Sequence, residues 1–106
     1  MNPDIRVYWH RELPPSDMDP LAEHVVEATS DHVHGQLTRD ADEWEACYAS
    51  LMAAARQRIA QEVTRLDGDC AHVLGEIVDA RHNEAAGDAW LHGQFNYVLF
   101  RRRRPS

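Results

Sequence analysis

The sequence predicts an α+β fold: one long amphipathic helix packed on an antiparallel sheet that ends in a C-terminal β-hairpin. Three observations predict it. An unbroken apolar stripe at helical spacing runs from Trp44 to Leu66. Two β-rich runs, 70–81 and 89–102, flank turn residues at 83–88. A short alternating run lies near the start, at Ile5 to His10. A chain of 106 residues has the size of one domain and can bury one core. The expected order is an N-terminal strand and proline-rich loop (1–20), a strand (21–35), the helix (40–67), the hairpin (70–102) and a short tail (103–106).

Each element has its own signal. In Ile5 to His10, the apolar residues Ile5, Val7 and Trp9 alternate with Arg6, Tyr8 and His10, which suits a strand with one buried face. Pro14, Pro15 and Pro20, with Ser16, Asp17 and Asp19 among them, make Leu13 to Pro20 a loop. Leu21 to Gly35 reads as a strand because of Val25, Val26, Thr29 and Val33, with a kink or bulge near Ser30-Asp31.

The helix is expected to start at Asp40, an N-cap with Glu43 three residues on. Asp42, Glu43 and Glu45 suit the positive end of its dipole, and Arg56, Arg58 and Arg65, toward the C-terminal half, suit the negative end. Trp44, Tyr48, Leu51, Ala55, Ile59, Val63 and Leu66 form its stripe, and Gly68 is the expected C′ residue.

In the hairpin, a turn centred on Ala86 sets 77 against 95, 75 against 97 and 73 against 99. Alternation then puts Val73, Ile77, Leu91, Phe95, Tyr97 and Leu99 on the face toward the helix, with Gly75 making room for Tyr97. The other face carries His72, Leu74, Glu76, Val78, Trp90, His92, Gln94, Asn96, Val98 and Phe100. It is too apolar to be simply wet. Leu74, Trp90, Val98 and Phe100 are therefore expected to meet a second copy of the chain.

Composition narrows the function classes. Hydrophobic (43%) and charged (27%) fractions are those of a soluble globular protein. No apolar run approaches the ~20 residues of a membrane helix, and the N-terminus lacks a secretory signal pattern. A cytoplasmic location is the expectation, and the two cysteines, Cys47 and Cys70, read as buried hydrophobes. All 11 basic residues are arginines, and four of them are Arg101 to Arg104. The remaining seven face 18 acids, a body of about −11. Such a body repels nucleic acid, and the arginine run reads as a solubilising tail.

The chemistry-bearing residues are few. In His32-Val33-His34, residues two apart on a strand share a face, so both imidazoles are able to ligate one ion. A divalent transition metal such as zinc needs three or four ligands, which His24, Asp31 or a carboxylate elsewhere would complete. Asp67 and Asp69 should raise the pKa of Cys70, making it a poor nucleophile. Ser30 and Ser50 lack a positioned base, and there is no glycine-rich phosphate loop. No catalytic residue emerges, and the expectation is a protein that is not an enzyme.

Three stretches in order resemble the small bacterial YbjQ-like family, which is labelled heavy-metal-binding. They are the strand ending Val33-His34-Gly35, the helix with Ala53-Ala54-Ala55 and the spacing Ala55, Ile59, Leu66, and the run Asp69-Cys70-Ala71-His72-Val73-Leu74-Gly75 before a hairpin and a basic end. The likeness covers roughly residues 25–102. It departs at His72, where an aliphatic residue is expected, and at Gly93 in mid-strand. The resemblance implies a ring-shaped homo-oligomer, commonly a pentamer. Two readings follow: a non-enzymatic, ring-forming interaction module, or a metal-binding protein that uses His32 and His34.

Overall fold

The computed structural model describes residues 5–14, 16–38 and 42–103. One helix packs on a five-stranded sheet, in the order β1 (Arg6–Trp9), β2 (Met18–Thr29), β3 (Val33–His34), α1 (Asp42–Arg65), β4 (Cys70–Asn83) and β5 (Asp88–Arg102). The predicted N-cap at Asp40 and the tail from Arg104 lie outside the described residues.

The sheet runs β1-β4-β5-β2, with the short β3 also against β5. It is mixed rather than wholly antiparallel, because β1 lies parallel to β4, with Arg6 opposite Cys70 and Trp9 opposite Val73. β2 starts at Met18, so Pro20 sits in a strand and not in the predicted loop. Proline is tolerated there because β2 is an edge strand, and the register shifts between Pro20 and Ala22.

The break expected near Ser30-Asp31 is present between β2 and β3. Ser30 holds it. Its backbone N–H donates to Leu91 O (2.9 Å), and its Oγ accepts from Leu91 N–H (2.8 Å). A side-chain oxygen thus takes the place of a ladder carbonyl where the strand bends.

The buried helix residues are Cys47, Leu51, Ala55, Ile59 and Val63. Trp44 and Leu66 are only half-buried and Tyr48 is 36% exposed. The sequence stripe mixed steps of three and four; the buried row uses fours alone. Such a row is inclined to the helix axis by about 26°, as packing across a twisted sheet requires.

The helix ends in a Schellman motif. Gly68 N–H donates to Val63 O (2.8 Å) and Asp67 N–H to Thr64 O (3.1 Å). The C′ residue is Asp67, with φ of 60°, and not Gly68. Gly68 is needed for another reason: a Cβ there would run into the Leu99 side chain.

The hairpin turn closes on Asn83, whose Oδ1 accepts from Ala85 and Ala86 N–H (3.0 and 3.3 Å). The register differs from expectation by one residue near the turn: Ile77 faces Gln94 and Gly75 faces Asn96. A shift between Val73 and Gly75 then sets Val73 opposite Tyr97. This bulge inverts the alternation of β4. Ile77 therefore lies on the face away from the helix, 67% exposed, and not in the core. Glu76 and Val78 take the helix side. Gly75 abuts Asn96, not Tyr97.

Candidate functional site

The helix covers one face of the sheet. On the other, cross-strand neighbours form rows. Phe100 lies between Cys70 and Pro20, Val98 between His72 and Glu23, and Asn96 between Gly75 and Val25. Gln94 lies between Ile77 and Glu27. Two of these side chains stand well out, Val25 (56% exposed) and Ile77 (67%), and so does Leu74 (46%) in the β4 bulge. Val98 and Phe100 are half-buried. Of the expected contact residues, Trp90, Val98 and Phe100 belong to this face and Leu74 to the bulge beside it. Val25 and Ile77 extend it and were missed. Val25 sat on a strand whose partner was unknown, and Ile77 was misplaced by the bulge. An isolated glycine in a strand is a bulge signal, and Gly75 carried it.

Toward the hairpin turn the same face becomes polar. His92 is paired with Asp79 and Thr29, not with Ala80 as the predicted register had it. Its Nε2 lies 3.1 Å from Glu27 Oε1 and its Nδ1 3.6 Å from Asp79 Oδ1. Arg81 Nε donates to Asp79 Oδ2 (3.1 Å) and holds that carboxyl below its usual pKa. Beyond them, the His32 ring stacks on Trp90, with centroids 4.3 Å apart and planes at 9°. Trp90 is thus partly covered by its own chain.

His32 and His34 both reach the Gly87-Asp88 turn. His32 Nδ1 is 2.6 Å from Asp88 Oδ2, and His34 Nδ1 is 3.1 Å from Gly87 O. That leaves Nε2 of each ring for a metal, the usual arrangement in which the second nitrogen is held by an acceptor. His24 does not join them: it lies beside Tyr97 on the helix side, ring centroids 5.7 Å apart. Asp31 is tied by its N–H to Ser50 Oγ (2.9 Å). Among the described residues no three His, Cys, Asp or Glu side chains gather to hold a metal ion, so these residues do not complete a zinc site within one chain.

The arginine run is held at three positions. Arg101 donates to Asp67 O (3.0 Å) and Leu66 O (3.5 Å), over the negative end of the helix. Arg102 Nε lies 3.6 Å from Asp17, and Arg103 makes two bonds to Asp19 Oδ1 (2.9 and 3.2 Å). These guanidiniums neutralise local acids.

Nucleophiles are poorly placed. Both cysteines are buried. The Cys70 thiol is pushed up to about 11, first by burial and then by Asp69 and Asp17, with Arg102 opposing. Asp69 acts as expected, while Asp17 takes the part assigned to Asp67. Ser30 and Ser50 both spend their hydroxyls on backbone groups.

No helix among the described residues is long and apolar enough to cross a membrane. No family model, no curated protein and no solved structure matches this chain.

Proposed function

We propose that the chain is a non-enzymatic structural or interaction module that assembles with copies of itself through the sheet face opposite the helix. The observation that carries this reading is the exposed apolar group Val25, Leu74 and Ile77 beside Val98 and Phe100. An apolar centre with a charged rim, here Glu27, Asp79, Arg81 and Glu23, is the composition of an association surface. The serines and cysteines fit a non-catalytic role, since their hydroxyls and thiols are committed or buried.

A face that meets itself closes a dimer, whereas a ring needs it to meet a different patch on the neighbour. Light scattering gives the subunit number. Val25→Glu with Ile77→Glu should shift the assembly to monomers at least tenfold in concentration while leaving the fold intact, because both side chains are exposed. A monomeric parent protein at micromolar concentration would sink this reading.

The alternative, a divalent transition metal such as zinc on His32 and His34, has one observation in its favour. Asp88 Oδ1 is buried with no partner among the described residues, and a nearby ion would serve it. Further donors would have to come from a second copy or from outside the described residues. Metal analysis of untagged protein beside His32→Ala/His34→Ala tests it: bound metal lost in the variant is the expected sign, and nil or unchanged metal ends the idea.

A further inference from the structure

β4 is paired on its outer side only as far as Val73, where β1 ends. His10 N–H closes that pairing on Val73 O (2.8 Å), and a φ of 42° at His10 turns the chain away. From Ile77 to Asn83, β4 runs on against β5 with no neighbour on its other side among the described residues. Asp79, Ala80, Arg81 and His82 are all exposed, so this edge is covered from neither face of the sheet.

Leu91 reveals which groups the edge presents. Its N–H and C=O are both spent on Ser30, on the β2 side of β5. Leu91 lies opposite Ala80. Opposite residues in an antiparallel pair exchange both of their bonds or neither, so Ala80 turns its N–H and C=O outward. Alternation gives Val78 and His82 the same direction, while Asp79 and Arg81 bond β5. Such a row of unpaired backbone groups is a template for another strand.

The side chains favour one strand in particular. Arg81 Nε and Asp79 Oδ2 stand 3.1 Å apart, both half-exposed, on the sheet face away from the helix. Set a second β4 antiparallel to the first, with the two-fold axis at Ala80. Asp79 then falls opposite the partner's Arg81, and Arg81 opposite the partner's Asp79, so the charges alternate in sign. These are non-hydrogen-bonded pairs, in which side chains approach most closely. An axis one residue to either side would oppose Asp79 to its own copy or Arg81 to its own copy, and like charges directly opposite repel. Ile77 meets Asn83, where β4 ends, so the ladder stops short of Glu76 and Glu84.

We propose that the edge of β4 from Ile77 to Asn83 binds the same edge of a second copy, antiparallel and centred on Ala80, and joins two sheets into one. The contact is isologous and closes a dimer. Val78 pairs with His82 across the axis, so every outward N–H and C=O from Val78 to His82 finds a partner. This contact goes beyond the face contact proposed above and does not rest on it: the face stacks sheets, whereas the edge extends them.

The test uses the full chain carrying Val25→Glu, which spoils the face on β2 and leaves β4 untouched. Hydrogen exchange, read amide by amide over a range of protein concentrations, is followed beside sedimentation. The amides of Val78, Ala80 and His82 should gain at least tenfold protection as monomer gives way to dimer, while those of Asp79 and Arg81 stay protected throughout. Asp79→Arg and Arg81→Asp should each weaken the dimer at least tenfold. An equimolar mixture of the two should restore it, because each arginine then faces an aspartate. The proposal is overturned if the three amides exchange freely up to millimolar concentration, or if the mixture dimerises no better than its components. Protection that is the same at every dilution would mean that the chain covers its own edge, and would also overturn it. Assembly lost in Val25→Glu with the three amides open defeats the edge and leaves the face; assembly kept there with the amides protected does the reverse.

Discussion

Gly93→Ala is expected to destabilise the chain by about 2–3 kcal/mol, and Phe95→Ala by about 3–5 kcal/mol, as read by urea unfolding. A Cβ at Gly93 would lie 2.7 Å from Phe95 Cε2, 2.9 Å from its Cζ and 3.2 Å from Leu51 Cδ2. Phe95 and Leu51 are fully buried, so neither can swing into solvent. Phe95 is also braced edge-on against Trp9, with ring centroids 6.1 Å apart. The sharper outcome is in the double variant. With the Phe95 ring gone, the methyl at 93 enters vacated space, and the two losses should fall short of their sum by at least about 1 kcal/mol. Strict additivity would show that Gly93 does not exist to seat Phe95.

Ser30→Ala should cost about 2 kcal/mol, because it leaves the buried Leu91 N–H without its acceptor. The variant keeps the strand break but removes the oxygen that fills the ladder. Hydrogen exchange should show the Leu91 amide opening faster relative to its neighbours. Ser50→Ala is the contrast: its Oγ serves the N–H of the exposed Asp31, and water replaces it at a cost of about 0.5 kcal/mol or less. Equal losses in the two variants, or an unchanged Leu91 amide, would refute the role given to Ser30.

The candidate site was legible only in part. Trp90, Val98 and Phe100 were correctly assigned to the face away from the helix, because alternation along β5 is unbroken, and Leu74, the unpaired residue of the β4 bulge, stands exposed. Val25 and Ile77 were not found, and Glu76 and Val78 were put on the wrong face. One shift between Val73 and Gly75 explains the errors on β4. His32 and His34 were read as one pair on a strand face; each instead bonds the hairpin turn at Gly87-Asp88, more than 50 residues away in sequence.

By itself, then, the sequence determined what is local. The i, i+4 apolar repeat makes α1, the alternation makes β5 and most of β4, and Ser30-Asp31 marks where β2 breaks from β3. The tertiary structure decided what depends on a partner. It set β1 parallel to β4, drew Arg101 to the helix end, and chose Asp67 over Gly68 for the left-handed position. It also placed the bulge that sends Ile77 outward and Glu76 toward Tyr48. The physical reason is that periodicity fixes which residues share a face within one element. Which face a strand buries depends on its register with its neighbour, and here that register follows from how β4 and β5 pack together against Leu51 and the rest of the helix row.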